Sequence, residues 1–170
     1  MSDGTPRVQL DQIRDGDRID FNANAEEMAA IAERLRLVSL DRLDAHTVLK
    51  RDGDKVRATG RLKASLSQAC VATGEPVSEH VDEAFDLSFV PAPTVDEELE
   101  LDADQLDTIF HDGQSIELGT AIADTLALAL DPYPRSANAD EALREAGVLS
   151  EEEAGPFAAL AALKGKLSEE

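Results

Sequence analysis

The chain has 170 residues, 42% of them hydrophobic and only 4% aromatic with no Trp, so a core of Leu, Val, Ala and Ile is affordable within one domain plus a tail. Its net charge of −20 and pI near 4.3 argue against non-specific binding to DNA or RNA, which depends on neutralising phosphates. No apolar run approaches the roughly 20 residues of a membrane span, the start MSDGTPRVQLDQIRDGD does not read as a secretory signal, and one Cys excludes an internal disulfide; a cytoplasmic location is expected.

Residues 1–23 carry Val8, Leu10, Ile13, Ile19 and Phe21 around an Asp15-Gly16-Asp17 turn, which predicts one or two short strands or an extended opening segment. Asn24 followed by Glu27 is a capping-box pattern, and Ala25, Met28, Ala29, Ala32 and Leu35 recur at helical spacing. A helix is predicted from Ala25 to about Leu37. From Val38 the period changes, favouring a strand around Leu43–Lys50, and Arg51-Asp52-Gly53-Asp54 supplies a tight turn. Val56, Ala58, Gly60, Leu62, Ala64, Leu66 and Gln68 then alternate strictly with polar residues. After the Thr73-Gly74-Glu75-Pro76 turn, a strand from Val77 to Val90 sets Val81, Phe85, Leu87 and Phe89 on one face. Strands joined in sequence by short turns imply an antiparallel meander with one wet face.

Val95–Asp107 holds seven acids in 13 residues with leucines between them, and reads as an edge strand or a loop. His111-Asp112-Gly113 is a turn. Ile122, Leu126 and Leu130 then mark an apolar helix that Asp131-Pro132-Tyr133-Pro134 ends. A short helix near Asp140–Ala146 and a last turn or two at Pro156–Leu163 complete the chain. The pattern predicts an α+β fold with a central antiparallel sheet, the Ala25–Leu37 helix packed on it and helices near the C-terminus. Its expected domains are residues 1–134 and a partly helical acidic tail, 135–170.

Charge is unevenly placed. From Ala64 to Pro134 there are 16 Asp and Glu and no Lys or Arg, whereas Arg34–Lys63 holds nine basic residues against four acids. Two candidate surfaces follow. Arg57, Arg61 and Lys63 alternate on one strand face and form a small basic stripe suited to RNA. Asp96, Glu97 and Glu98, in a run where leucines sit among carboxylates, suit a basic and partly apolar protein.

Reactive constellations are thin. Acidic surroundings are expected to raise the thiol pKa of Cys70. His46, His80 and His111 lack a metal-ligand spacing, the Asp96–Asp104 run lacks the pattern of a calcium loop, and the ten glycines occur singly. Neither catalysis nor a metal or cofactor is expected.

Ordered pieces of the chain nevertheless resemble one family. Gly60-Arg61-Leu62, Gln68-Ala69-Cys70-Val71-Ala72-Thr73, Glu75-Pro76-Val77 and Phe89-Val90-Pro91 resemble the YceD family in its single-cysteine form. AERLRLVSLDRLDA upstream and Ile116-Glu117-Leu118 and LALALDPYPR downstream extend the likeness over about residues 8–136. The resemblance implies a non-enzymatic factor for accumulation of large-subunit (23S) ribosomal RNA, acting on that RNA or on a basic large-subunit ribosomal protein. The alternative is an acidic adaptor without a ribosomal role. Relatives with paired cysteines suggest zinc, but Thr73 stands here where the second Cys of such a pair falls and PYPRSAN contains none, so no metal role carries over. Gly60, Cys70, Glu75 and Pro76 match the motif, with turn formation as their structural reading.

Overall fold

The computed structural model describes residues 6–93 and 107–148. The chain divides into two compact units, Met1–Gln68 with Ser78–Pro132, and Ala69–Val77 with Tyr133–Glu170.

In the first unit, strand β1 (Arg7–Gln9) leads through a 3-10 turn to β2 (Arg18–Asn22). Helix α1 (Ala25–Leu35) follows, then the long strands β3 (Ser39–Asp52), β4 (Lys55–Ala69) and β5 (Pro76–Pro91). Short strands β6 (Thr108–His111) and β7 (Ser115–Glu117) then precede helix α2 (Leu118–Ala129). The main sheet has the order β2-β3-β4-β5-β6, and β1 pairs instead with β7 in a separate two-stranded ladder. The α+β fold with an antiparallel meander is therefore present: β2, β3 and β4 pair antiparallel in register with Ile19 opposite Thr47 and Thr47 opposite Gly60.

Helix α1 starts as the sequence predicts. The Asn24 side chain accepts bonds from the Glu26 and Glu27 amides, at 2.9 and 3.0 Å, and Glu27 returns one from the Asn24 amide at 2.8 Å. The helix stops at Leu35, two residues before the predicted end, because Arg36 turns left-handed at φ 56° and bonds back into the last turn. It packs on β3, with Ile31 facing the core.

The third strand is longer than its alternation suggests. A register shift between Leu40 and Arg42 breaks the period, hiding the strand's first residues. Beyond it, Leu43, Ala45, Thr47 and Leu49 face inward with Val56, Ala58, Leu62, Ala64 and Leu66 of β4 and Val81, Phe85, Leu87 and Phe89 of β5. Helix α2 contributes Leu118, Ile122 and Leu126, each 0% exposed. Burial of these side chains in place of water contact is the main force holding the unit together.

One pairing departs from the sequence reading. His111, expected in a turn, ends β6, whose pairing with β5 is parallel: Ser88 opposes Thr108 and Pro91 opposes His111. Four residues are too few for periodicity to reveal. The His111 ring contacts the Asp54 carbonyl at 2.7 Å and accepts the Gly113 amide at 3.0 Å, which fixes this end of the sheet.

In the second unit, residues 69–77 form the Cys70–Glu75 turn, and helix α3 (Ala139–Glu145) lies within a residue of its predicted position. The predicted turn at Pro156–Leu163 lies outside the described residues.

Candidate partner-binding faces

The wet face of the sheet carries rows of ionisable side chains that run across the strands. One row runs from Asp20 on β2 through His46 on β3 and Arg61 on β4 to Asp82 on β5; Asp20 and Arg61 oppose His46 in register, and Arg61 pairs with Asp82. A second row carries Lys50, Arg57 and Asp86. Arg57 engages Asp86 at two points, Nε to Oδ1 at 2.7 Å and Nη2 to Oδ2. Its bond to the Arg57 guanidinium holds the Asp86 carboxyl below the usual carboxylate range, and the same bond raises Arg57. Lys63 lies 3.9 Å from the second oxygen of Asp82.

The basic stripe expected at Arg57, Arg61 and Lys63 is thus real in alternation but matched by β5 acids. Beyond a Debye length of about 8–10 Å, such adjacent opposite charges cancel, leaving little field to draw in a phosphate backbone. Strand pairing brings Asp82 and Asp86 opposite bases some 20 to 30 positions earlier, a relationship that neither segment shows alone.

At the turn end of the β3–β4 hairpin, a groove of about 700 Å³ is lined by Lys50, Lys55, Val56, Phe89 and Pro91 among others. Arg51, also on its wall, is committed to the backbone: its guanidinium donates to the carbonyls of Leu10, Ile13 and Gly53. Lys50 and Lys55 have no ion-pair partner among the described residues. Asp96, Glu97 and Glu98 lie outside the described residues.

Gly60 has a steric role. A Cβ added to it would stand 2.0 Å from the His46 carbonyl oxygen and 2.8 Å from Cζ of Phe85. The position therefore admits no side chain without displacement of β3 and of the Phe85 ring.

In the second unit, Cys70 and Glu75 belong to one turn, and Pro76 directly after it opens β5. The Cys70 amide donates to the Glu75 carbonyl at 2.8 Å, and the Gly74 amide donates to the Cys70 carbonyl at 2.9 Å. The Val71 amide donates to Pro134 at 2.9 Å. Cys70 is 3% exposed, and its sulfur accepts the Ser136 amide at 3.3 Å and the Ser136 hydroxyl at 3.4 Å. The Glu75 carboxylate accepts from the Thr73 hydroxyl at 3.3 Å and the Asn138 amide at 3.4 Å.

The expected upward shift of the thiol is reversed. Donors from Ser136 first and Thr73 second bring Cys70 down to about 6 against the opposing effect of burial, because they favour the thiolate. Sequence reading missed Ser136 and Asn138; their sole signal was the polar SAN that follows the helix-stopping prolines. One thiol among hydroxyls does not fit zinc, and no group of three or more His, Cys, Asp or Glu among the described residues is placed to hold a metal.

The family model described as "Large ribosomal RNA subunit accumulation protein YceD" matches residues 58–164, more than half the chain. The chain belongs to the YceD family. The match begins on β4 and takes in Gly60, the Cys70–Glu75 turn and its partners Ser136 and Asn138; residues 8–57, part of the resemblance seen in the sequence, lie outside it. No curated protein and no solved structure matches this YceD-family chain. Among the described residues, no helix is long and apolar enough to cross a membrane.

Proposed function

We propose that this YceD-family protein is a binding factor rather than an enzyme. It supports accumulation of 23S ribosomal RNA, and so ribosome biogenesis, by holding a basic large-subunit ribosomal protein. Family membership supports the ribosomal role. The observation that carries the choice of partner is the neutralised stripe: Arg57 and Arg61 are each paired with a β5 carboxylate, on a protein whose net charge is −20. A cationic protein gains from such a surface, while an RNA backbone must overcome it.

The test is affinity capture from the native cell at physiological salt, with and without nuclease, against an equally acidic control protein. Large-subunit ribosomal proteins that remain bound after nuclease treatment are the expected result. Capture of precursor RNA alone would replace the protein partner with RNA. Recovery of neither would remove the ribosomal reading and favour the acidic adaptor.

A further inference from the structure

Strand β2 forms one edge of the main sheet, and the long strands β3 and β4 separate it from β5 and β6. It meets β3 through its odd-numbered residues: Ile19 opposes Thr47 and Phe21 opposes Ala45. The ladder continues at either end, where the Leu49 amide donates to the Asp17 carbonyl at 2.8 Å and the Ala23 amide donates to the Leu43 carbonyl at 3.0 Å. In an antiparallel pair, the residues between such bonded positions turn their backbone groups the other way. The N–H and C=O groups of Arg18, Asp20 and Asn22 therefore point away from the sheet, and none of the three has a backbone partner on that side among the described residues.

The side chains along this edge match one another. Arg18 and Asp20 stand exposed on the wet face with opposite signs. Arg18 faces Val48 across β3, with the bases His46 and Lys50 on its diagonals, and has no ion-pair partner among the described residues. Asp20 gives one oxygen to His46, and its side chain is 72% exposed. Ile19, between them, is half-buried and packs against the core. Charge is also balanced in this part of the chain. Residues 1–63, which supply β1, β2, α1, β3 and most of β4, hold 12 acidic and 12 basic residues, so the net charge of −20 comes entirely from residues 64–170.

We propose that β2 is a dimer edge, pairing antiparallel with β2 of a second copy about a two-fold axis at Ile19. That register sets Arg18 opposite the partner's Asp20, and Asp20 opposite the partner's Arg18. The outward backbone groups of both residues exchange hydrogen bonds, and the two Ile19 side chains meet on the core side. The two five-stranded sheets join into one continuous sheet. The neighbouring register, with the axis at Asp20, sets two carboxylates against each other and is disfavoured. Charges on an edge ordinarily keep copies apart. Here their alternation in sign selects one register, and the two-fold axis closes the assembly at a dimer.

The full chain is sedimented to equilibrium across a concentration series, and amide exchange is followed along β2. The expected result is a mass that rises from monomer to dimer, with protection of Arg18, Asp20 and Asn22 growing in step. Arg18→Asp and Asp20→Arg should each weaken dimerisation about tenfold by setting like charges opposite one another, with circular dichroism unchanged. The two exchanges combined should restore it. A chain that stays monomeric throughout the series would overturn the proposal. So would a dimer that leaves β2 unprotected, or single exchanges that weaken association without recovery in the double variant. Protection of β2 in the monomer at every concentration would assign the edge to other residues of the same chain and overturn it as well.

Discussion

The ring of Phe85 occupies the space that a side chain on Gly60 would need: an added Cβ would lie 2.8 Å from its Cζ and 2.0 Å from the His46 carbonyl oxygen. The carbonyl belongs to the backbone and cannot swing aside as a side chain can. Gly60→Ala is therefore expected to cost about 3 kcal/mol by forcing strands β3 and β4 apart. Urea unfolding measures it: the midpoint should fall with little change in slope. A loss below about 0.5 kcal/mol would mean that the strands accommodate a methyl group and that Gly60 is not sterically required.

Thr47, opposite Gly60 in the register, is 0% exposed, and its hydroxyl has no hydrogen-bond partner among the described residues. A buried polar group left unsatisfied costs about 1–3 kcal/mol. Thr47→Val keeps the branched shape and removes the hydroxyl, so it should raise stability by about 1 kcal/mol and the melting temperature by about 3 °C. Thr47→Ser, which keeps the hydroxyl and loses the methyl, should do the opposite. Calorimetry on the pair decides it, and a destabilised Val variant would show that the hydroxyl is satisfied in solution.

Cys70 links the second unit's stability to pH. Its thiol stands at about 6 in the fold against 9.0 for the unperturbed group. Between those values the folded chain holds a thiolate while the unfolded chain binds a proton, so unfolding takes up a proton and stability rises with pH. The contribution is full above about 9 and is lost as pH falls through about 6. The stability difference between the parent and Cys70→Ala should therefore widen from pH 6 to 9, and the thiolate's ultraviolet absorbance should titrate near the lower value. A difference independent of pH would show that the Ser136 and Thr73 donors do not favour the anion. Burial to 3% exposure should meanwhile keep alkylation of the native protein slow.

Local signals in the sequence were enough for α1, β4 and β5, because a capping box and a strict period of two are written in consecutive residues. They were not enough for the start of β3, where a bulge interrupts the alternation, or for β6, whose four residues are placed by parallel pairing with a distant strand. The same division holds at the candidate sites. Arg57, Arg61 and Lys63 were visible as a stripe because they alternate on one strand. Their partners Asp82 and Asp86 were not, since only the β4–β5 pairing makes them neighbours. Ser136 is likewise 66 positions from the Cys70 sulfur it contacts.

That cross-strand neutralisation allows a sharp test of the proposed preference for a basic protein over RNA. Asp82→Asn with Asp86→Asn removes two negative charges and leaves Arg57, Arg61 and Lys63 in place, so the face becomes a connected cationic patch. The five-stranded sheet should persist, because exposed ion pairs contribute little to stability. The Arg57–Asp86 pair also sets a pH limit: Asp86 is depressed below its ordinary 3.8, so its stabilisation is present above that value and fades as pH falls below it through the folded pKa. The double variant should lose this acid-side dependence. At neutral pH and low salt it should gain affinity for a large-subunit rRNA fragment over the parent by about tenfold, with the gain shrinking as salt rises. Filter binding across a salt series measures this. An unchanged affinity would place the obstacle to RNA elsewhere on the acidic body rather than in the pairing of these strands.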